Sequence, residues 1–329
     1  MTTILPVQRR LCTLALAAAG LLFASHLSAA ESYPNRPVRL IVPYPPGGAT
    51  DIVARALGGK MGEALGQQFV VDNRGGGGQL IGTDLAAKAP ADGYTFLLVS
   101  VTHSINPSLR DKMPYDTIKD FAPIILIAQS ANILVTHPSV PAKSVKELIA
   151  LLRKDPGKLN YASSGTGSGG HLAAELFKSV AKVNMVHVPY RGGGPAYVDL
   201  VAGHVDLMFT SPAPTLPHVK AGRLRALATT GASRALATPD LPTIAESGFP
   251  GYEATLWYGF VAPSGTPVKV IRALNGAVVK ALADPAIRES FLARGIEPAG
   301  GSLEQFAAHI NSEMKKWQRV IREANIRLQ

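Results

Sequence analysis

Apolar residues recur along this chain in two alternating patterns, which predict strands and helices in turn. Short apolar runs, such as Val38–Val42 and residues 95–99, are typical of buried strands. Between them apolar residues recur at helical spacing over residues 52–65 and near residues 81–88. A regular alternation of strand and helix predicts an α/β protein with mainly parallel sheets.

The second half of the chain continues this alternation and ends in helices. Two capping boxes, at residues 144–147 and 302–305, mark helix starts because hydroxyl and carboxylate or amide groups there satisfy free backbone amides. Further strands are predicted near residues 133–136, 159–163, 185–189, 205–209 and 224–229, and further helices near residues 146–154, 171–182, 196–202, 267–282 and 306–321.

The first thirty residues have the pattern of a secretory signal peptide. Arg9 and Arg10 precede an apolar stretch over residues 11–24, and Ser28 and Ala30 supply the small residues of a cleavage site. We therefore predict cleavage after residue 30 and a periplasmic protein. An uncleaved anchor is the alternative, but the apolar stretch is shorter than the ~20 residues of a membrane span.

Composition excludes several classes of function. The single cysteine, at position 12, lies in the predicted leader, so the mature chain has neither a disulfide nor a thiol nucleophile. The net charge of +10 favours anionic partners, yet no basic run is interleaved with aromatics, so no nucleic-acid partner is expected. We find no P-loop, no metal-ligand spacing and no nucleophile elbow, and therefore expect no cofactor or metal.

Three glycine-rich loops each leave a strand and enter a helix, and they are the main candidates for chemistry. They cover residues 43–51, 163–171 and 189–195. A helix start offers free amides and partial positive charge, and ligands of α/β sheets bind beyond the carboxyl ends of the strands. The loops therefore predict a cleft that donates hydrogen bonds to carboxylates; the alternative is that they are tight turns only.

Residues 165–170 match the dinucleotide-binding fingerprint, but its partner feature is missing. An acidic residue should follow about 20 positions later, where this chain has Tyr190 and Arg191. Other single residues leave more than one interpretation open. Asp51 either caps a helix or contacts a ligand, and His171 either orients its loop or contacts a ligand. Arg191 either binds a carboxylate, makes a salt bridge across the lobes or is solvated.

Trp257 and Tyr258 present the same choice, because they either wall the cleft or belong to the core. A mature chain near 300 residues also exceeds the usual size of one hydrophobic core. We therefore expect two domains.

Several spaced motifs together resemble a known family. They are the Pro-Gly-Gly-x-x-Asp of residues 46–51, the Asn-Arg-Gly-Gly-Gly-Gly of 73–78, the Gly-Thr-Gly-Ser-x-x-His of 165–171, the Pro-Tyr-Arg-Gly of 189–192, and the stretches at 241–248 and 262–267. In this order they resemble the Bug family of periplasmic receptors, the TctC-like binding proteins of tripartite tricarboxylate transporters. The similarity covers residues 32–329.

The resemblance implies a two-lobed Venus-flytrap fold and a binding role without catalysis. Residues 32–132 with 255–329 would form lobe 1, and residues 133–254 would form lobe 2. The ligand would be a small carboxylate: a di- or tricarboxylate, an acidic amino acid or an aromatic acid. The partner would be the membrane permease of the transporter, and the receptor itself is expected to be a monomer.

The resemblance also implies a set of ligand contacts in the loops. They are Tyr44, Gly47, Gly48, Asp51, Ser100, Thr102, Ser164, Thr166, Gly167, Ser168, His171, Tyr190 and Arg191, with His103 and Ser104 as further candidates. The chain departs from the family at residues 75–78, where it has four glycines instead of Pro-Gly-Ala-Gly-Gly. This departure leaves the path of that loop open.

Two other functions remain open from the sequence. A sensor would present the closed lobes to a membrane kinase instead of a permease, and it would use the same fold. A secreted hydrolase or lyase would use His171 with a serine of the same loop. The motifs contain no arrangement of histidine and carboxylate, which favours binding over catalysis.

Overall fold

The structure is a computed structural model, and it describes residues 33–323 and residue 326. The predicted signal peptide, residues 1–30, lies outside this part of the chain. Within the described residues, no helix combines the length and the apolar character needed to cross a bilayer.

Strands and helices alternate through the described residues. The strands are β1 (Val38–Val42), β2 (Phe69–Asn73), β3 (Thr95–Ser100), β4 (Phe121–Ala131), β5 (Ile133–Thr136), β6 (Asn160–Ser163), β7 (Val186–Pro189), β8 (Leu207–Thr210), β9 (Arg225–Thr229), β10 (Thr255–Pro263) and β11 (Glu297–Pro298). The helices are α1 (Ala49–Leu65), α2 (Leu80–Ala87), α3 (Val101–Leu109), α4 (Val145–Lys154), α5 (Gly169–Ala181), α6 (Gly193–Ala202), α7 (Pro212–Lys220), α8 (Val268–Ala283), α9 (Pro285–Leu292) and α10 (Leu303–Glu323).

Two sheets form the centres of two lobes. The first sheet has the strand order β11-β4-β10-β3-β1-β2, and the second has the order β7-β6-β8-β5-β9. The α/β prediction with two lobes is confirmed. Both sheets are mixed, however: β10 runs antiparallel to β3 and β4, and β5 runs antiparallel to β8 and β9. These two strands are the ones that follow a crossing between the lobes, where no helical crossover precedes them.

The sequence did not predict α3, α7, α9, β4 and β11. Proline explains two of these omissions. Helix α3 contains Pro107, and α7 contains Pro212, Pro214 and Pro217. Prolines in the first turn of a helix lose no hydrogen bond, since first-turn amides have no partner within the helix. The prolines at the start of α7 are thus compatible with the helix, although the same residues suggest a loop in the sequence.

The chain passes between the two sheets at two points, and three buried residues join these points. Asn132 connects β4 to β5, Thr230 follows β9, and Ala254 precedes β10. The Asn132 amide donates to Thr230 Oγ1 at 2.8 Å, and this hydroxyl donates to the Ala254 carbonyl at 2.8 Å. The Thr230 amide donates to the Asn132 carbonyl at 2.9 Å. Both crossings are therefore tied into one hydrogen-bonded unit.

The two sides of strand β10 have different surroundings: one side packs in the core of the first lobe, and the other faces the second lobe. Its side chains alternate, as in any strand. Trp257 is buried against α10, where its indole N–H and that of Trp317 both donate to Glu313 Oε2, at 3.1 and 3.0 Å. The hypothesis that Trp257 walls the cleft is therefore wrong, whereas Tyr258 points to the opposite face of the sheet.

We expect Gly259→Ala to destabilise the first lobe. A Cβ at this position would lie 2.1 Å from Phe306 Cζ on α10, so the ring would have to move. Overpacking of this kind costs about 1–3 kcal/mol of unfolding free energy, which urea unfolding measures. Gly276→Ala is the matched control, since a Cβ at this exposed site on α8 would have no side chain of a non-adjacent residue within 4 Å. It should stabilise by about 0.5–1 kcal/mol. Equal midpoints for the two variants would contradict the packing described.

Candidate ligand-binding cleft

Two adjacent cavities lie between the lobes and share seven lining residues. The inner chamber has a volume of about 160 Å³, and the outer chamber has a volume of about 710 Å³. Both are lined by Tyr44, Pro45 and Thr102 from the first lobe and by Ser164, Ser168, Arg191 and Gly192 from the second. A cavity of ~150 Å³ can hold benzene, so the inner chamber accommodates roughly six non-hydrogen atoms.

Five helices begin at the inner chamber. The residues that precede them, and that line the chamber, are Gly48 (α1), Ser100 (α3), Ser168 (α5), Gly192 (α6) and Ser211 (α7). Of these five, Ser168 is the one whose side chain accepts a hydrogen bond from the first turn of its helix. Free first-turn amides and the partial positive charge of each helix start therefore face the same small volume.

Charged side chains are rare around both chambers. Of the described residues that line them, none is acidic, and Arg110 and Arg191 are the charged ones. Arg191 lines both chambers, and Arg110 lines the outer chamber. The cleft thus has positive potential without any carboxylate to balance it, which suits an anionic ligand.

Three tyrosines supply hydroxyl groups to the inner chamber. Tyr44 Oη lies 2.6 Å from Ser100 Oγ, and Tyr197 Oη lies 2.6 Å from Thr210 Oγ1. Tyr258 comes from β10 and lines the chamber as well. Burial raises the pKa of all three phenols, so they keep their protons at neutral pH and can donate to an anion.

The same local structure occurs at the start of α1 and of α5. Gly47 and Gly167 each have positive φ, 86° and 80°, two residues before the first helical residue. The Gly47 amide donates to Asp51 Oδ2 at 3.1 Å, and the Gly167 amide donates to His171 Nδ1 at 3.2 Å. In both lobes a side chain in the first turn therefore fixes the glycine that shapes the loop.

Asp51 and His171 both make hydrogen bonds within their own loops. Burial acts to raise the pKa of Asp51, but hydrogen bonds from Arg55, Gly47 and Asn73 outweigh it and hold the pKa below its usual range. Burial lowers the pKa of His171 to about 4, so the ring is neutral at physiological pH. Neither residue lines a chamber, and both position a loop.

The predicted contacts divide into three groups. Tyr44, Gly48, Ser100, Thr102, Ser164, Ser168 and Arg191 line the inner chamber, Thr166 and Tyr190 line the outer chamber, and Gly47, Asp51, Gly167 and His171 line neither. His103 and Ser104 are buried within α3 and line neither chamber. A residue of a glycine-rich loop can stabilise the loop instead of contacting a ligand, and the sequence pattern is the same in both cases.

The geometry also disfavours the hydrolase hypothesis. His171 Nδ1 accepts from the Gly167 amide, and Ser168 Oγ accepts from the His171 amide at 3.3 Å. The imidazole therefore is not arranged to take a proton from this serine, as a nucleophilic mechanism requires. Within the described residues, no cluster of His, Cys, Asp and Glu is suited to a metal ion.

Several lining residues were missed by the sequence interpretation. Tyr197, Thr210 and Ser211 come from the second lobe, and Asn132 comes from the crossing between the lobes. Ser211 could have been found, because a serine followed by proline directly after a strand is typical of a helix start. Asn132 and Tyr197 carry no such local signal.

The path of the four-glycine loop depends on left-handed backbone. Gly76, Gly77 and Gly78 have φ values of 123°, 59° and 66°, and Gln79 continues with 77°. Side chains at the three glycines would strain this path. The loop lines the outer chamber and brings its backbone close to Arg110.

A two-lobed α/β fold with a donor-rich cleft defines a class, the periplasmic-binding-protein-like solute receptors, which are not enzymes. The family described as "Tripartite tricarboxylate transporter family receptor" matches residues 53–326. Protein BugT of Bordetella pertussis is 40% identical over 303 residues, which cover 91% of this chain and 92% of BugT. The chain therefore belongs to this receptor family and is a Bug-type, TctC-like protein, as the motifs predicted.

Solved structures agree with this assignment. A Rhodopseudomonas palustris protein solved with adipate has a TM-score of 0.87 and 40% identity, covering 90% of this chain and 99% of its own. The periplasmic binding protein BugD has a TM-score of 0.86 and 35% identity, covering 90% and 100%. MatC from R. palustris, with bound malate, has a TM-score of 0.83 and 30% identity, covering 88% and 100%.

We expect Asp51→Asn to lower the free energy of unfolding by about 1–3 kcal/mol at neutral pH, because Arg55 and the Gly47 amide lose their charged acceptor. A carboxyl with a lowered folded pKa stabilises above its unfolded pKa of about 3.9, and this contribution is lost as pH falls through the folded pKa. The gap between variant and wild type in urea unfolding should therefore close in acid. Asp111→Asn, at an exposed site, should stay within about 0.5 kcal/mol. The same loss in both variants would contradict the role given to Asp51.

Two buried histidines and one half-buried histidine should make the fold sensitive to mild acid. Burial lowers the pKa of His103, His171 and His187 to about 4 in the folded state. The unfolded chain, with pKa values near 6.5, binds these protons first, so stability is lost as pH falls from about 6.5 towards 4. His103→Phe removes one such group, and its unfolding free energy should fall less steeply over this range. Parallel curves for variant and wild type would show that His103 does not contribute.

Proposed function

We propose that this protein is an extracytoplasmic receptor that captures a small carboxylate in the inner chamber and delivers it to the permease of a tripartite tricarboxylate transporter. The convergence of five helix starts on the inner chamber is the observation that carries this proposal. Backbone amides, tyrosine hydroxyls and Arg191 would surround one carboxylate group. The ligand would thus be held by fixed dipoles, with little rearrangement inside each loop on binding.

The ligand class is supported by size and by relatives. The inner chamber accommodates roughly six non-hydrogen atoms, which fits a carboxylate with a short chain. Related proteins of this fold were solved with adipate and with malate, both of which are dicarboxylates. The proposed contacts to the first carboxylate are the predicted residues that line the inner chamber, together with Tyr197, Ser211 and Tyr258.

Delivery requires a signal that the cleft is occupied, and lobe closure would provide it. We infer that the lobes are bounded at residues 132 and 254, since the chain changes sheets on either side of Asn132 and again before β10. The lobes approach closely where Pro45 and Gly192 line both chambers, since a Cβ on Gly192 would lie 3.2 Å from Pro45 Cγ. A permease could then bind surfaces that meet only when the cleft is closed.

Export to the periplasm is part of the proposed role. The leader pattern of residues 1–30 supports export, and the family and the related structures are periplasmic receptors. We propose that the mature chain acts in the periplasm as a monomer, because the binding cleft is complete within one chain.

Replacing one free amide should test the inner chamber directly. Ala49 is the first residue of α1 and lines the chamber. Ala49→Pro removes its N–H at a position where proline suits a helix. A hydrogen bond to a charged group contributes about 1.5–3 kcal/mol, so the dissociation constant of the bound acid, measured by calorimetry, should rise roughly tenfold or more. Ala49→Val adds similar bulk and keeps the amide; an equal loss in both variants would attribute the effect to bulk.

The acid for this measurement comes from a thermal-shift screen of mature wild-type protein. Malate, succinate, adipate, citrate, glutamate and phthalate should be compared with their amides or esters. A carboxylate that binds the folded state raises the melting temperature, whereas its amide or ester should not. If refolded protein, freed of carried-over ligand, shows no shift with any carboxylate, the proposed function fails.

A further inference from the structure

The outer chamber has an unusual charge distribution. Arg110, from the end of α3 in the first lobe, and Arg191, from the loop before α6 in the second, both line it. Within the described residues neither arginine makes an ion pair, and no carboxylate lines the chamber. Two arginines from opposite lobes therefore line one cavity, and no described residue of its lining supplies a counter-charge.

Arg110 is held in a defined place by the four-glycine loop. Its Nη2 donates to the Gly77 carbonyl at 3.2 Å, and its Nε lies 3.4 Å from Asn106 Oδ1. Asn106 in turn donates to the Gly78 carbonyl at 3.0 Å. A Cβ at Gly78 would lie 2.4 Å from Arg110 Nη2, so any side chain there would displace the guanidinium. These contacts use two of its five N–H donors, and the remainder can serve a ligand.

The two chambers are adjacent, because seven residues, among them Thr102 and Ser164, line both of them. The far end of a ligand in the inner chamber can therefore approach Arg110. The inner chamber accommodates only roughly six non-hydrogen atoms, so a longer molecule has to extend past Thr102 and Ser164 into the outer chamber. A carboxylate at that end would meet planar guanidinium groups, whose forked donors match its two oxygens.

We propose that Arg110, together with Arg191, forms a second carboxylate subsite in the outer chamber and selects a ligand with two carboxylates at opposite ends. This inference rests on the proposed function, in which the first carboxylate occupies the inner chamber. A dicarboxylate would pair with cations of both lobes at once. A monocarboxylate would leave the outer guanidinium groups without an acceptor.

A purely structural role for Arg110 is the competing explanation, since its hydrogen bonds also support the four-glycine loop. The two roles differ in what a substitution changes. Loss of a structural support would weaken binding of every carboxylate to the same extent. Loss of a subsite would weaken binding of the diacid and leave the half-ester of the same acid unaffected.

The test compares each diacid with its monomethyl ester, using succinate, glutarate, adipate and phthalate as probes. Calorimetry on the mature wild-type chain should show that at least one diacid binds about tenfold to a hundredfold more tightly than its half-ester. In Arg110→Gln this ratio should fall to within about threefold, with the affinity of the half-ester nearly unchanged. Arg110→Lys should keep part of the ratio because it retains the charge without the fork.

Arg288→Gln is the matched control. It removes the same charge from an exposed site on α9, away from the cleft, and should leave the ratio unchanged. Should Arg110→Gln fold poorly, Arg110→Lys and the wild-type ratio at rising salt concentration give the answer, since screening weakens the contribution of an open charged subsite.

The outcomes separate this inference from the proposed function. Equal weakening of diacid and half-ester in Arg110→Gln overturns the subsite and leaves Arg110 as a support of the loop. A wild type that binds half-esters or monocarboxylates as tightly as diacids also overturns it, while the carboxylate receptor stands. A wild type that binds no carboxylate at all refutes the proposed function and this inference together.

Discussion

The cleft depends on backbone amides that have no hydrogen-bond acceptor within their own helix. Each helix start leaves first-turn N–H groups that the helix itself cannot satisfy, and five such starts surround the inner chamber. Strand ends and glycine turns place these helix starts around the chamber. No carboxylate is found among the described residues that line it, so no protein group competes for the amides. An acceptor supplied by a ligand is the natural complement, and an anion gains most from it.

Rigid support around the loops makes this arrangement possible. Asp51 and His171 do not reach the chambers, yet each fixes a glycine of left-handed conformation at the start of a helix. The buried hydrogen bonds of Asn132 and Thr230 join the two crossings of the chain in the same way. Interior polar groups that are fully paired specify a geometry, and unpaired ones would cost several kcal/mol. The binding function therefore extends well beyond the residues that line the cleft.

The sequence predicted elements whose signal is local. Periodic apolar residues identified α1, α5 and α10, and the capping residues at 302 and 305 form the expected reciprocal hydrogen bonds. The Ser144 hydroxyl accepts from the Glu147 amide as expected, but the Glu147 carboxylate accepts from Lys143 instead of Ser144. The proline-containing helices α3 and α7 were missed. Proline disrupts the interior of a helix but is tolerated in its first turn, and the sequence alone does not show where the helix begins.

By itself the sequence determined the α/β class, the order of most elements, the glycine-rich loops and the family, because backbone preference, periodicity and spaced motifs are properties of neighbouring residues. The tertiary structure alone decided which loop residues line the two chambers. Tyr197, Asn132 and Tyr258 line the inner chamber, whereas Asp51 and His171 line neither chamber. Arg110 contacts a glycine loop that lies about thirty residues earlier in the chain. Such contacts depend on the distance between elements in space, which the order of residues in one chain does not contain.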